Sequence, residues 1–224
     1  MISICRAAVF STAVATVSFV AFAAPLTAIA VADPPALRKY RIQRKKPRAQ
    51  DLIRPSIKSW AVNNVVMFVA ILAGWPLLAH SGLHAGPLPP WYVIAGQIGF
   101  FIYLDDFLFY WMHRTLHTPW LFKHIHGWHH RILTPWAVTG HSMHPLEYLL
   151  TATVALVGPL VLGAHVVTVW LWFTFRQWEA AEGHCGERAR QLLQLVVEQH
   201  LLQRGDRAAV ADEAQRRRDR RQLG

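Results

Sequence analysis

The chain has 224 residues, enough for one compact domain. Apolar residues make up 53% and charged residues 16%, against about a quarter charged in ordinary soluble domains. This balance excludes a disordered or collagen-like chain and disfavours a soluble one. Its two cysteines, Cys5 and Cys185, exclude a disulfide scaffold and lack zinc-thiolate spacing.

The net charge of +10 is concentrated in two places. Residues 32–59 hold nine Lys/Arg against Asp33 and Asp51, and the tail after Cys185 is rich in Arg. A basic stretch next to long apolar runs reads as a juxtamembrane segment on the cytoplasmic side, touching anionic lipid, rather than as a nucleic-acid site. No nucleic-acid partner is expected.

Residues 7–32 carry no charge and follow Arg6. The run reads as a signal anchor or first transmembrane helix, with a cleaved signal peptide as the alternative. Residues 60–79 form a second apolar run, whose twenty residues at a rise of about 1.5 Å match a hydrocarbon core of about 30 Å. A short Gly/Pro turn from His80 to Pro90 leads to a third segment, 91–112, edged by Trp and Tyr as interfacial anchors are. Residues 146–175 are long for one crossing and short for two. Gly158-Pro159 interrupts them, which suggests a tight helical hairpin or two partly inserted helices. Threading the chain from a cytoplasmic 32–59 loop returns residues 113–144 and 176–224 to the same side. The expected fold is all-α: an integral membrane helical bundle with a cytoplasmic histidine-rich cap.

Of 13 histidines, eight lie between positions 113 and 144. His113 and His117 make an H-x3-H, and i, i+4 residues share a helix face. His126, His129 and His130 make an H-x2-HH whose rings can all point inward on a helix. Clustered neutral imidazoles are costly to bury near a membrane without partners. The aromatics between them argue against a low-complexity metal-buffer tract. No H-E-x-x-H is present, and no cysteine accompanies the cluster, so neither a zinc peptidase nor structural zinc fits. Five or more nitrogens exceed the needs of one four-coordinate ion, and two metals are the economical reading. A histidine-rich pair of irons suits O₂ activation. His80, His84, His165 and His200 read as satisfied polar residues. Histidines are scarce within the apolar segments, which disfavours a metal transporter. Asp106 shares a stripe with Tyr110, His113 and His117, and is a candidate to orient a ligating ring by hydrogen bonding. Asp105 beside it reads more readily as an acid paired with an Arg such as Arg114.

The stretch from Phe100 to His130 (FFIYLDDFLFYWMHRTLHTPWLFKHIHGWHH), the block TGHSMHPLEYLL from Thr139 to Leu150, and RQWEAAEGHCG from Arg176 to Gly186 resemble the fatty acid hydroxylase superfamily of membrane histidine-motif oxygenases. Asp106 to His117, with the adjacent HPLE, looks most like the 4-methylsterol monooxygenase branch. The resemblance covers 60–186 as a membrane domain, bounded by the 1–31 anchor, the 32–59 loop and the 187–224 tail. It implies two iron ions held by His113, His117, His126, His129 and His130, with His144 and His184 as further family histidines. It also implies an O₂-dependent monooxygenase in the endoplasmic reticulum membrane, acting on the C4 methyl group of a sterol or on another membrane lipid. A cytochrome b5-type donor with an NAD(P)H reductase would supply electrons. Another hydroxylase or desaturase of the superfamily is the neighbouring alternative. The family's last histidine cluster, of the form H-D-x-H-H, is missing: after Gly186 only His200 occurs, and no aromatic follows Trp178. That tail reads as an altered reading frame or misplaced gene end, with a genuine divergent tail, helical in QLLQLVVEQHLLQ, as the alternative. A chain without the last cluster is also open to being an inactive homologue. The sequence leaves the oligomeric state undetermined.

Overall fold

The structure is a computed structural model that describes residues 4–42 and 48–186. The 187–224 tail and His200 lie outside the described residues. Two compact units divide the chain. In the smaller, the described part is a single 3-10 helix over Pro35–Tyr40. The larger is an all-helical bundle: α1 Ile4–Ala32, α2 Ala49–His80, α3 Trp91–Leu116, α4 Pro119–His124, α5 Pro145–Val161 and α6 Val166–Gly183. Two 3-10 turns, His126–Arg131 and Ala137–His141, lie between α4 and α5. Three helices are long and apolar enough to cross a membrane: α1 over Val9–Ala32, α2 and α3. The protein is a multi-pass, membrane-embedded helical bundle.

α1 is tied into this bundle along its length. Trp170 donates to Ser11 at 3.3 Å, Thr16 donates to Asn64 at 2.9 Å, and the Val138 amide donates to Thr27 at 3.1 Å. With Asp105 of α3 facing Arg176 of α6 and Glu147 of α5 bonded to His126, these contacts place the C-terminal ends of α1, α3 and α6 and the N-terminal ends of α2 and α5 together at one end of the unit. That end carries every histidine between 113 and 144.

α2 begins at Ala49, not at residue 60 as apolarity suggested. Its 32 residues extend about 48 Å, well beyond a hydrocarbon core of about 30 Å. The excess is the basic, N-terminal part with Arg54 and Lys58. Hydropathy reads it as loop because it is polar, whereas the backbone continues the helix. Along it, Ser56, Ser59 and Asn63 fall at helical spacing and grip the loop that follows the Ala137–His141 turn. Asn63, fully buried, donates to the carbonyls of His141 and Met143 at 3.1 and 3.2 Å. Ser59 reaches the same two carbonyls, and Ser142 donates to Ser56 at 2.8 Å.

The hairpin expected within 146–175 is present, but it turns at Leu162–His165 and not at Gly158-Pro159. Pro159 stays inside α5. A proline cannot donate to the carbonyl four residues before it, and here that carbonyl, Ala155, accepts instead from the Trp172 indole at 2.8 Å. Gly158 gives room for Phe101 of α3, whose ring would lie 2.7 Å from an added Cβ. The helix ends at Val161, and two residues on, at Gly163, φ is +54°. The amides of Gly163 and Ala164 return to the carbonyls of Leu160 and Pro159, the hydrogen-bonding pattern of a Schellman cap. Phe101, Ala164, Val169 and Trp172 form the core between α3 and α6.

Candidate metal centre

Each histidine arrives at the site through local chemistry. α3 stops because Thr118 precedes Pro119, which disfavours helical backbone at 118, so His113 lies in its last turn and His117 at its C-cap, one above the other. Pro119 starts the six-residue α4, and the chain then tightens into the His126–Arg131 turn. This turn is 3-10 and not α, so the three histidines of H-x2-HH do not share one face as expected.

They divide between two groups. In the first, the Nε2 atoms of His113, His117, His126 and His130 converge. The separations are 3.1 Å for His113–His117, 3.2 Å for His117–His126 and 2.9 Å for His126–His130, and all four ligand atoms lie within 4.8 Å of one another. Nitrogens bound to one metal at about 2.0–2.1 Å stand roughly 2.8–3.4 Å apart at right to tetrahedral angles, and the three close pairs match that range. His126 is fully buried, while His117 and His130 are exposed. The Phe122 ring packs against three of the four, its centroid 5.5 Å from His117, 6.0 Å from His126 and 5.5 Å from His130.

In the second group, His129 turns away toward α6. Its Nε2 lies 3.2 Å from Nε2 of His184. His129 Nδ1 donates to the Ser142 carbonyl at 3.2 Å and His184 Nδ1 to the Ala180 carbonyl at 2.8 Å. Both rings are thereby fixed with Nε2 lone pairs facing each other. This is half a ligand set among the described residues.

Burial accounts for the protonation states of these rings. It pushes His129 down to about 4, with the neighbouring His184 as the next cause. His130 and His184 also lie below the usual imidazole value for the same reason. Neutral imidazole is the form a metal requires.

Residues 98–205 match the fatty acid hydroxylase family profile. Among curated proteins, the chain is 39% identical over 155 residues to Methylsterol monooxygenase 2-2 of Arabidopsis thaliana, covering 67% of this chain and 57% of that protein. It is 40% identical over 153 residues to Very-long-chain aldehyde decarbonylase GL1-11 of Oryza sativa subsp. indica, covering 66% and 56%. Methylsterol monooxygenase 1-3 of Arabidopsis thaliana is 29% identical over 150 residues. The chain belongs to the fatty acid hydroxylase superfamily. It spans a little over half the length of the curated relatives it matches. No solved structure matches it.

The superfamily's other expected residues fare differently. His144 stays apart from both groups: its Nδ1 accepts from the Leu146 amide at 3.2 Å and caps α5, with Pro145 at the first helical position. Asp106 is exposed, and among the described residues no histidine bonds to it. The carboxylate that reaches a converging ring is Glu147, with Oε1 2.8 Å from His126 Nδ1. Burial disfavours both charges in this pair, pushing Glu147 up to about 8 and His126 down to about 3. A cation at Nε2 would draw the carboxyl toward its ionised form. Asp105 is buried and faces Arg176 of α6 at 3.4 Å, not Arg114, which donates to the Tyr110 hydroxyl at 3.0 Å.

Sequence reasoning gave no role to His141. It is buried, stacked on Phe19 at 4.1 Å, and its Nδ1 has no hydrogen-bond partner. Burial pushes it down to about 3, with His184 the next cause. Its place in GHSMHP, between a ligand motif and a helix cap, was the available signal.

Proposed function

We propose that this chain is an iron-dependent, O₂-using oxygenase that hydroxylates a membrane lipid, with the C4 methyl group of a sterol as the favoured target. The observation that carries this reading is the convergence of four Nε2 atoms at the end of a membrane-spanning helix. The similarity to methylsterol monooxygenases supplies the substrate class. His113, His117, His126 and His130 would hold one iron, and His129 with His184 would contribute to a second. Iron bound there supplies O₂ activation and oxidation of an unactivated C–H bond, with two external electrons and two protons reducing the second oxygen atom to water.

The chain's own residues do the rest. α1–α3 admit an apolar substrate from the bilayer. Exposed His117 and His130 leave one side of the quartet open, while fully buried His126 closes the other to water. The Arg176–Asp105 pair neutralises an acid inside the bundle, so the carboxylate does not compete for metal. The N-terminal part of α2, with Arg54 and Lys58, lies at the histidine end, which supports a cytoplasmic site in the endoplasmic reticulum membrane and a cytochrome b5-type donor with an NAD(P)H reductase.

A second reading keeps the iron site but takes a very-long-chain aldehyde as substrate, because the rice relatives carrying that name match at 40% identity against 39% for the methylsterol monooxygenase. The test is iron content of the protein purified in detergent, followed by turnover with O₂ and a reductant on 4-methylsterols and on long-chain aldehydes. A hydroxylated sterol is expected. An aldehyde-derived product alone favours the second reading. A protein that binds no iron at the quartet overturns both and leaves a non-catalytic homologue.

A further inference from the structure

We infer that Glu147 is the positioning residue of the histidine quartet: its carboxylate takes the Nδ1–H of His126 and so commits the Nε2 lone pair of that ring to the metal. The inference rests on the metal-binding reading of the quartet.

An imidazole has two nitrogens and can present either one. A free ring at this position would sample both. His126 is the hub of the quartet, since its Nε2 approaches both His117 and His130, and its ring packs edge-on to His113 at 4.6 Å. The wrong nitrogen at this ring would disturb all four. Glu147 removes the choice. Its Oε1 lies 2.8 Å from Nδ1, and both residues are buried, so no water competes for the bond.

The placement of Glu147 is built in from a distance. His144 caps α5 and Pro145 sets its first turn, which fixes Glu147 in that turn. A carboxylate there is favoured by the helix N-terminus. The second pair of histidines is oriented by backbone carbonyls, those of Ser142 and Ala180. Among the described histidines only His126 leans on a side-chain carboxylate. A carboxylate behind a ligating imidazole also makes its lone pair more basic, and loss of such a partner typically costs 10–100-fold in metal affinity. The remaining oxygen, Oε2, is buried with no hydrogen-bond partner. The side chain is therefore held for one contact and not shared among several.

The experiment is a Co(II) titration of the full chain in detergent, read by the visible d–d bands, for wild type, Glu147→Leu and Glu147→Gln. Wild type is expected to bind. Glu147→Leu, of similar size but unable to accept, should weaken binding about 10–100-fold and change the bands. Glu147→Gln keeps an acceptor oxygen and should recover most of the affinity. A wild-type chain that binds no Co(II) removes the underlying metal reading. Wild-type binding with an unchanged Glu147→Leu overturns the inference alone. If Glu147→Leu does not fold, ¹⁵N-histidine NMR of the Zn(II)-loaded wild type decides. His126 bound through Nε2 with a protonated Nδ1 supports the inference, and binding through Nδ1 overturns it.

Discussion

Histidines meet at both ends of the bundle, with opposite outcomes. At the far end, the rings of His84 and His165 stand 5.4 Å apart, edge to face. There His84 Nδ1 donates to the Gly163 carbonyl at 3.0 Å, His165 Nε2 to the Gly86 carbonyl at 3.0 Å, and His165 Nδ1 caps α6 through the Val167 amide. These nitrogens are spent on backbone. At the near end, the Nδ1 atoms of His129 and His184 go to backbone carbonyls and that of His126 to Glu147, while the Nε2 atoms face one another. Proximity of histidines is thus no sign of a ligand site. The sign is a set of Nε2 atoms that converge on one another and not on backbone carbonyls.

The sharpest way to break this contrast is to remove one ring from each end. His126→Ala should reduce metal affinity of the quartet by at least about 100-fold, since a ligand and its buried carboxylate partner are both lost. His165→Ala should leave metal binding unchanged. Equal effects, measured by metal titration in detergent, would dissolve the distinction.

A finer test separates the two histidine groups at the near end. A Cβ at Gly140 would stand 2.7 Å from the Ala180 carbonyl, which is the acceptor for His184. Gly140→Ala should push α6 away, costing about 1–3 kcal/mol by overpacking, and should disturb His184 while sparing the quartet. Denaturant midpoints and metal stoichiometry report the two effects separately.

Acid sharpens the same contrast. His126, His129 and His141 fold with values near 3, 4 and 3, well below 6.5. The unfolded chain therefore binds protons that the native state refuses, and stability falls as pH drops from 6.5 toward 4, by up to about 1.4 kcal/mol per pH unit for each ring that stays neutral. Glu147, raised to about 8, has the opposite sign: its stabilising proton is lost as pH rises from 4.5 to 8. Three rings outweigh one acid below neutrality, so the unfolding temperature should be lower at pH 5 than at pH 7. His141→Gln should flatten that slope. The smallest effect is at the far end, where His84→Ala removes an Nδ1–H shared between the Gly163 and Gly82 carbonyls, worth about 1 kcal/mol, with no change in metal affinity.

Much of this was legible in the sequence where chemistry is local. The three long helices follow from apolar runs, and the H-x3-H pair from helical spacing. What escaped depends on packing. Gly158-Pro159 looks like a turn until Trp172 supplies the donor that proline lacks. Asp106 shares a stripe with His113 and His117, yet the partner of His126 comes from 21 residues away. The split of the second motif follows from a 3-10 turn that no periodicity in six residues can reveal. The family profile runs on to residue 205, beyond the described residues, where any further ligands for the His129–His184 pair would have to be sought.

That 3-10 turn has a mechanical side. His129 and His130 are consecutive, and their rings, 84° apart in plane, serve different groups. One peptide unit, with α-carbons about 3.8 Å apart, therefore bridges the two groups. Their spacing is set by covalent bonds and not by the softer fit of helix against helix. A displacement of either group must be transmitted to the other through a link that cannot stretch.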